Sequence, residues 1–474
     1  MKMSEPKRLH PITSVINFLK SLKEFIAPFI IIFLFGGKGP GLDLWQMIFT
    51  ASFIVLSLVG GILSWLRFTY RVEEGELRIE SGLFVRKKRY IPFERIQSLD
   101  FSEGLLQRPF GLVTVKVETA GSSGLNNAEA VLTAIKKQDA VAIQDILTSV
   151  KRNQTQYREI EESDIVYTMK PSQLMLLAST SGGAGVVISA SLAFILQFDE
   201  LIPFEKVFKE LQGYISNGIA FVSIALFLLF LLAWFIAVVG TMFKYAGFTV
   251  KRVEEDLVIS RGLLEKRQLT IPLNRIQGIL ISENIIRQPI GYCSVYLESA
   301  GGSLEKNSSK TLLLPIIKKK EVAALLSPFL HDYCFSPELV PAPKRALKRY
   351  MFRGLLIPLI IAAAAIIFFR PWGFLSLVLI PFAAIWAFLN YKDAGWSLHQ
   401  QQLTLTYRGI VKNTFYMRKN KIQSLTLARS PFQERQALGT IHATVKSGVG
   451  PSGGEVVDIE KQDCLTIYNW YTYQ

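Results

Sequence analysis

One short basic motif occurs three times in the chain and is the strongest candidate for chemistry. It reads Arg95-Ile96-Gln97, then Arg275-Ile276-Gln277, and then Lys421-Ile422-Gln423. A cationic side chain binds carboxylate or phosphate oxygens through charge-assisted hydrogen bonds. The repeated motif therefore predicts a shared surface that binds an acidic partner or a lipid headgroup.

A structural role for the same basic residues is the alternative. Each arginine could pair across a sheet with an acidic residue of its own copy, Glu118 or Glu298. Repeated charge in a repeated fold is usually structural. The third copy has Lys446 at the corresponding position, so the alternative is weaker there.

A four-residue basic run, Arg86-Lys87-Lys88-Arg89, lies beside a predicted hairpin turn of the first copy. Each basic residue near an anionic leaflet contributes about 1 kcal/mol, so the run could hold its domain against lipid. Charged side chains also protect a solvated strand edge from unwanted pairing. Both interpretations are open, and the second copy keeps only Lys266 and Arg267 beside Glu265.

Residues typical of catalysis or metal binding do not cluster along the sequence. The chain has no phosphate-binding loop, nucleophile elbow or HExxH motif. Its apolar segments carry no ionisable residue near their centres, where a transport pathway would place one. The sequence thus predicts no catalytic residue, no cofactor and no metal site, and favours a protein that is not an enzyme. The four histidines, His10, His331, His399 and His442, lie in unrelated segments, as do the three cysteines, Cys293, Cys334 and Cys464.

A long internal repeat must position the basic residues. In the first two copies, a Gly-Leu step, a proline before the motif and a Pro-x-Gly step recur at constant spacing. The third copy is looser, with Arg418 in place of the proline. Alternation of apolar and polar residues predicts strands, and each copy ends in a predicted helix. We therefore expect one twisted antiparallel sheet per copy, closed by a helix. In the first copy the apolar positions of that helix are Val141, Ile143, Ile146, Leu147 and Val150.

Long apolar segments alternate with the three copies. Of the 474 residues, 50% are hydrophobic, and the formal net charge is +15. A membrane-crossing helix needs about 20 apolar residues. Basic residues crowd the N-terminus and the exits of these segments, so the positive-inside rule predicts that the N-terminus and the sheet domains are cytoplasmic. The segments form three predicted hairpins, at 25–37 with 44–68, at 174–198 with 219–243, and at 354–369 with 372–389.

The repeated pattern, a glycine at a strand turn, Ile-Pro-x-x-Arg-Ile-Gln and then Pro-x-Gly, resembles the bacterial pleckstrin-homology-like family of membrane proteins, specifically its YdbT-like group. The resemblance covers nearly the whole chain and implies a pleckstrin-homology (PH) half-barrel of strands capped by a C-terminal helix. The matching residues are Gly82, Pro92, Arg95, Ile96, Gln97, Pro109 and Gly111, and then Gly262, Pro272, Arg275, Ile276, Gln277, Pro289 and Gly291.

The expected fold is a multi-pass α-helical membrane protein with three β-rich PH-like domains on the cytoplasmic side of the cell membrane. The predicted segments are the N-terminal part with the first hairpin at 1–68, the first PH-like domain at 69–165, the second hairpin at 171–245, the second domain at 246–335, the third hairpin at 344–391 and the third domain at 392–474.

Repetition without catalytic groups favours a scaffold that binds proteins or lipids through several weak surfaces at once. Membrane lipids and a membrane-protein partner or a second copy of the chain are the expected partners, and nucleic acid is not. A component of an export or resistance system for a hydrophobic compound is the alternative, because uncharged helix interiors permit it.

Overall fold

The computed structural model describes residues 5–35, 42–83, 85–119, 130–154, 164–181, 219–299, 310–370, 372–447 and 452–472. The chain forms two compact units. Among the described residues, the first unit ends at Thr270 and the second begins at Ile271.

Long apolar helices alternate with short helices that follow the sheets. In chain order, the helices of the described residues are α1 (Ile12–Phe35), α2 (Leu42–Arg67), α3 (Lys137–Gln154), α4 (Pro171–Ser179), α5 (Ile219–Tyr245), α6 (Lys319–Leu326), α7 (Ala346–Phe368), α8 (Leu379–Asp393), α9 (Pro431–Glu434) and α10 (Lys461–Thr472).

Four segments in the described part of the chain are long and apolar enough to cross a membrane. Their large apolar side chains face outward, with Phe368 78% exposed and Phe382 67% exposed. Contiguous apolar surface of this kind suits lipid rather than water. α1 covers residues 25–35 of the segment predicted at 25–37, and α4 covers 174–179 of that predicted at 174–198. Residues 36–37 and 182–198 lie outside the described residues. The four spans are Ile48–Arg67, Phe227–Tyr245, Ala346–Phe368 and Gly373–Asp393.

The first unit contains a four-stranded and a seven-stranded sheet, with strand orders β1-β2-β3-β4 and β7-β6-β5-β11-β10-β9-β8. The strands are β1 (Lys7–Arg8), β2 (Thr69–Glu73), β3 (Glu76–Ser81), β4 (Lys87–Pro92), β5 (Ile96–Glu103), β6 (Leu112–Thr119), β7 (Ala130–Lys136), β8 (Asp164–Thr168), β9 (Thr249–Val253), β10 (Asp256–Arg261) and β11 (Lys266–Pro272).

The second unit contains a seven-stranded and a three-stranded sheet, with strand orders β14-β13-β12-β18-β17-β16-β15 and β19-β20-β21. The strands are β12 (Ile276–Glu283), β13 (Tyr292–Ser299), β14 (Lys310–Lys318), β15 (Val340–Pro341), β16 (Gly395–His399), β17 (Gln402–Arg408), β18 (Lys412–Arg418), β19 (Ile422–Ala428), β20 (Leu438–Val445) and β21 (Ser452–Glu460).

Strands of successive copies pair with each other, and the expectation of one self-contained sheet per copy is therefore wrong. In the first unit β5 of the first copy pairs antiparallel with β11 of the second. In the second unit β12 of the second copy pairs antiparallel with β18 of the third. A bare sheet edge carries unpaired N–H and C=O groups, and pairing between copies satisfies them.

The core of the first copy lies between its two groups of strands and is closed by α3. Leu77, Phe93 and Val115 are at most 1% exposed within it. The buried face of α3 contains Ala140, Ile143 and Leu147, whereas the predicted core residue Val141 is 47% exposed. Positions i, i+3 and i+7 lie on one helix face, so the small Ala140 rather than Val141 completes the stripe.

A buried carboxylate joins the third hairpin to the third copy. Asp458 of β21 is 0% exposed and accepts hydrogen bonds from Arg349 at 2.9 Å and from Arg353 at 2.6 Å. Both arginines lie on α7, and Gln433 Nε2 donates to the same carboxylate at 2.9 Å. A buried charge needs such partners, so this cluster positions α7 against the sheet.

Two of the repeated glycines are required by backbone geometry. Gly82 and Gly262 have φ angles of +118° and +104°. A Cβ atom would lie 2.0 Å from the Val85 carbonyl oxygen at Gly82 and 2.1 Å from that of Glu265 at Gly262. Gly409 takes the corresponding place in the third copy, but a Cβ there meets nothing within 4 Å.

We expect Gly262→Ala to destabilise the protein by roughly 1–3 kcal/mol, because L-residues are strained at positive φ and the new methyl group collides with a carbonyl oxygen. Gly409→Ala is the matched control and should change stability by less than about 0.5 kcal/mol. Thermal unfolding of the purified chain in detergent measures both. Equal melting temperatures for the two variants would contradict the geometric requirement.

We expect Asp458→Ala to destabilise the protein by about 3 kcal/mol, because it leaves two arginines without their buried partner. Glu460→Ala removes the neighbouring, more exposed pair with Arg345 and should cost less than about 1 kcal/mol. Urea unfolding followed by tryptophan fluorescence compares the two variants. A loss for Asp458→Ala no larger than that for Glu460→Ala would show that the cluster does not hold the hairpin.

Candidate functional site

The basic residue of each repeated motif ends a single 3-10 turn between two strands. The turns, called the basic turns below, are Phe93–Arg95, Leu273–Arg275 and Lys419–Lys421. Pro92 and Pro272 enter the first two turns with φ angles of −59° and −63°. Arg418 enters the third with φ −84° and ψ 145°, also extended. The loss of proline therefore leaves the turn intact, and all three copies present a cation at the same place.

The basic turns of the second and third copies lie next to each other. The Lys421 ammonium donates a hydrogen bond to the Asn274 carbonyl oxygen at 3.1 Å. Gln277 Nε2 donates to the carbonyl oxygen of Arg275 at 3.0 Å. The contact between Lys421 and Asn274 follows from the pairing of β12 with β18, because the second turn directly precedes β12 and the third directly follows β18.

The basic turns differ in exposure. Arg95 and Gln423 are exposed, whereas Arg275, Gln277 and Lys421 are half-buried. The Gln97 side chain lies outside the described residues. The first basic turn is thus the most accessible to a membrane or a protein, and the second and third form a joint basic surface.

Glu298, the acidic residue that the sequence offers as a partner of Arg275, is fully buried. Its carboxylate accepts a hydrogen bond from Ser452 Oγ at 2.6 Å and lies 4.0 Å from the Lys310 ammonium. Burial raises the pKa of Glu298, although Ser452 and Lys310 act in the opposite direction. The pairing of Arg275 with this group stays a prediction.

The basic run Arg86 to Arg89 is exposed along its whole length. Arg86 donates to Glu80 at 2.5 Å, and the Lys88 ammonium lies 3.6 Å from the same carboxylate. Slight desolvation raises the pKa of Glu80, but the two cations outweigh it and hold that pKa below its usual value. Lys87 to Arg89 lie on β4, an end strand of the four-stranded sheet, and Arg86 directly precedes it.

A second charged cluster, which the sequence did not single out, lies at the base of the third hairpin. Arg408 Nε donates to Asp393 at 2.5 Å, and the Lys412 ammonium donates to the same carboxylate at 2.8 Å. Arg408 Nη2 donates to Gln288 Oε1 at 2.5 Å. Two cations therefore share one carboxylate. Asp393 could have been noticed in the sequence as a charged residue at the end of an apolar segment. The residues that surround it could not, because only folding brings them together.

A cavity of about 420 Å³ lies beside this cluster. Two buried polar atoms of its lining residues, Arg408 Nη1 and Asn390 Oδ1, have no hydrogen-bond partner in the described part of the chain. Burial raises the pKa of the nearby Tyr407 to about 12, so its hydroxyl stays protonated.

The described residues include groups that are able to perform covalent or metal chemistry. Among the described residues, no three His, Cys, Asp or Glu side chains are placed to hold a metal ion. Burial raises the pKa of Cys293 and of Cys464 to about 12, which suppresses the reactive thiolate. His442 lines the cavity. That the protein is not an enzyme stays a prediction.

Comparison with known proteins identifies relatives along the whole chain. The model of the bacterial PH domain family matches residues 21–151, 201–331 and 355–474. UPF0699 transmembrane protein YdbT of Bacillus subtilis (strain 168) is 37% identical over 492 residues, which cover 100% of this chain and 99% of that protein. UPF0699 transmembrane protein YdbS of the same strain is 42% identical over 53 residues, which cover 11% of this chain and 33% of that protein.

The apolar helices agree with the transmembrane description of both relatives, and the three matched ranges agree with the three copies. The chain is therefore a membrane protein that belongs to the bacterial PH domain family, with three PH-like repeats.

Proposed function

We propose that this protein is a membrane-anchored scaffold whose three PH-like domains bind proteins or lipids on the cytoplasmic side of the cell membrane. The recurrence of one cationic group at the end of an identical turn in all three copies carries the proposal. The third copy supports it most directly, because it keeps the turn and the charge after losing the proline.

The membrane anchor makes weak surfaces sufficient. Three sites on one chain raise the effective concentration of each for a partner already bound by another, so avidity exceeds any single affinity. The adjacent second and third basic turns provide two such cations within one surface. Membrane lipids and a membrane-protein partner or a second copy of the chain are the proposed ligands, without catalysis, a cofactor or nucleic acid.

A PH-type half-barrel in each copy is part of the proposal, and the core of the first copy supports it. In the first copy, two groups of strands enclose one core and α3 closes it. The cytoplasmic orientation rests on the basic residues at the exits of the spans, such as Arg67 and Lys244, because such residues stay inside.

We expect the triple variant Arg95→Ala, Arg275→Ala, Lys421→Ala to lose bound protein or lipid in a gentle-detergent affinity purification analysed by mass spectrometry. If all three cations contact an anionic surface at about 1 kcal/mol each, vesicle affinity should fall about 100-fold. Binding to vesicles with and without anionic lipid separates the two kinds of ligand.

A second triple variant controls for net charge. Lys136→Ala, Lys320→Ala and Lys446→Ala remove one exposed cation from each copy, outside the basic turns. This variant should keep its partners and most of its vesicle affinity. If both triple variants retain the same bound proteins and lipids as the unchanged chain, or lose them equally, the basic turns are not the binding surface.

A further inference from the structure

The end strand β4 has two counterparts in the chain, and both are covered by another strand. β11 of the second copy pairs with β5, and β18 of the third pairs with β12. In each case the covering strand comes from the preceding copy. Among the described residues, β4 of the first copy pairs with β3 alone.

Most side chains of β4 are more exposed than those at the corresponding positions of β11 and β18. Arg89 of β4 is exposed. Leu269 of β11 and Phe415 of β18, at the corresponding positions, are 2% and 1% exposed. At this position the counterparts of β4 are thus buried within continuous sheets, whereas β4 is exposed from Lys87 to Tyr90.

The backbone of β4 leaves donors available for a further strand. Phe93 N–H donates to the Gly75 carbonyl oxygen at 3.0 Å, on the side of β3. Amide directions alternate along a strand, so the odd-numbered residues of β4 donate toward β3. The N–H groups of Lys88 and Tyr90 therefore point outward.

Both internal pairings place opposite charges at one position. Lys266 lies opposite Glu103 in the first unit, and Lys412 lies opposite Glu283 in the second. Directly opposed unlike charges favour strand pairing. Counting back from the repeated strands, Arg86 occupies the place of Lys266 and Lys412 in the first copy.

Basic residues on an edge strand often prevent pairing, but in this chain they accompany it. β11 begins with Lys266 and Arg267, and β18 begins with Lys412. Both strands are nevertheless paired on this side. The basic run therefore fits a strand with acidic residues better than it fits a blocked edge.

The third copy of a second chain fits this edge poorly. Among the described residues, β19 of the third copy pairs with β20 alone and is an end strand of its sheet. Arg429 takes the place that Glu103 and Glu283 hold in the other copies. A second copy would thus oppose Arg429 to Arg86, and like charges directly opposite each other destabilise a pair.

We propose that β4 is a docking edge for an antiparallel strand of another bacterial PH domain protein, one that carries a carboxylate where β5 has Glu103. This inference rests on the proposed scaffold function and names the class of partner for one of its surfaces. The added strand would continue the sheet as β5 and β12 do within the chain.

Two peptides taken from the chain itself test the edge. A fluorescent peptide copying residues 94–104 contains β5 with Glu103, and one copying residues 420–430 contains β19 with Arg429. We expect the full chain in detergent to bind the first peptide at least tenfold more tightly in fluorescence anisotropy. Equal affinity for both peptides, or no binding of either, would overturn the proposal.

Substitutions in β4 separate backbone pairing from charge. Lys88→Pro removes an outward donor without breaking the β3 ladder, and Lys88→Ala removes the same charge but keeps the donor. Lys88→Pro should bind the β5 peptide at least tenfold more weakly than Lys88→Ala does, and the two variants should have the same melting temperature. Arg86→Glu should also weaken it, and a peptide with Glu103→Arg should restore binding to that variant.

The remaining outcomes are also decisive. Equal binding by Lys88→Pro and Lys88→Ala would exclude strand addition. If anionic vesicles bind the unchanged chain and Lys88→Pro but not Arg86→Glu, the basic run binds lipid rather than a strand. That result would overturn the inference. The triple variant of the basic turns leaves β4 unchanged. If that variant loses its partners while the unchanged chain does not bind the β5 peptide, this inference is wrong and the scaffold function is still supported.

Discussion

Antiparallel pairing between strands of successive copies is the constraint on which the rest of the structure depends. β5 joins β11 in the first unit, and β12 joins β18 in the second. Side chains alternate between the two faces of a strand, so a slip of one residue would move every core residue to the wrong face. The ladders therefore fix the register of each copy against its neighbour as well as its own core.

This pairing also places the basic turns. The second and third turns are continuous with β12 and β18, and the contact from Lys421 to the Asn274 carbonyl oxygen follows. The Lys421 side chain reaches the second turn because main-chain hydrogen bonds hold the two strands, and no direct attraction between the turns is required.

Buried charges at the base of the third hairpin provide the second constraint. Asp458 binds two arginines of α7, and Asp393 at the end of α8 binds Arg408 and Lys412. Removing such charges from water is costly unless each has a close partner. The clusters therefore restrict how the helices meet the sheet, and Arg408 of the second cluster lines the cavity beside it.

The sequence by itself determined the local units of this protein. Strand-period alternation, turn glycines and the motif around Arg95, Arg275 and Lys421 predicted the three copies and their basic turns, because these features depend on neighbouring residues. Four of the predicted membrane segments follow from apolar length in the same way.

Only the tertiary structure decided which strands and charges meet. Periodicity identifies a strand and its faces but not the strand at its edge, so the sharing of sheets between copies could not be predicted. Arg353 and Asp458 are 105 residues apart, and Arg408 and Gln288 are 120 apart. Pairs at such separations carry no local pattern, because burial and backbone register bring them together only after the chain has folded.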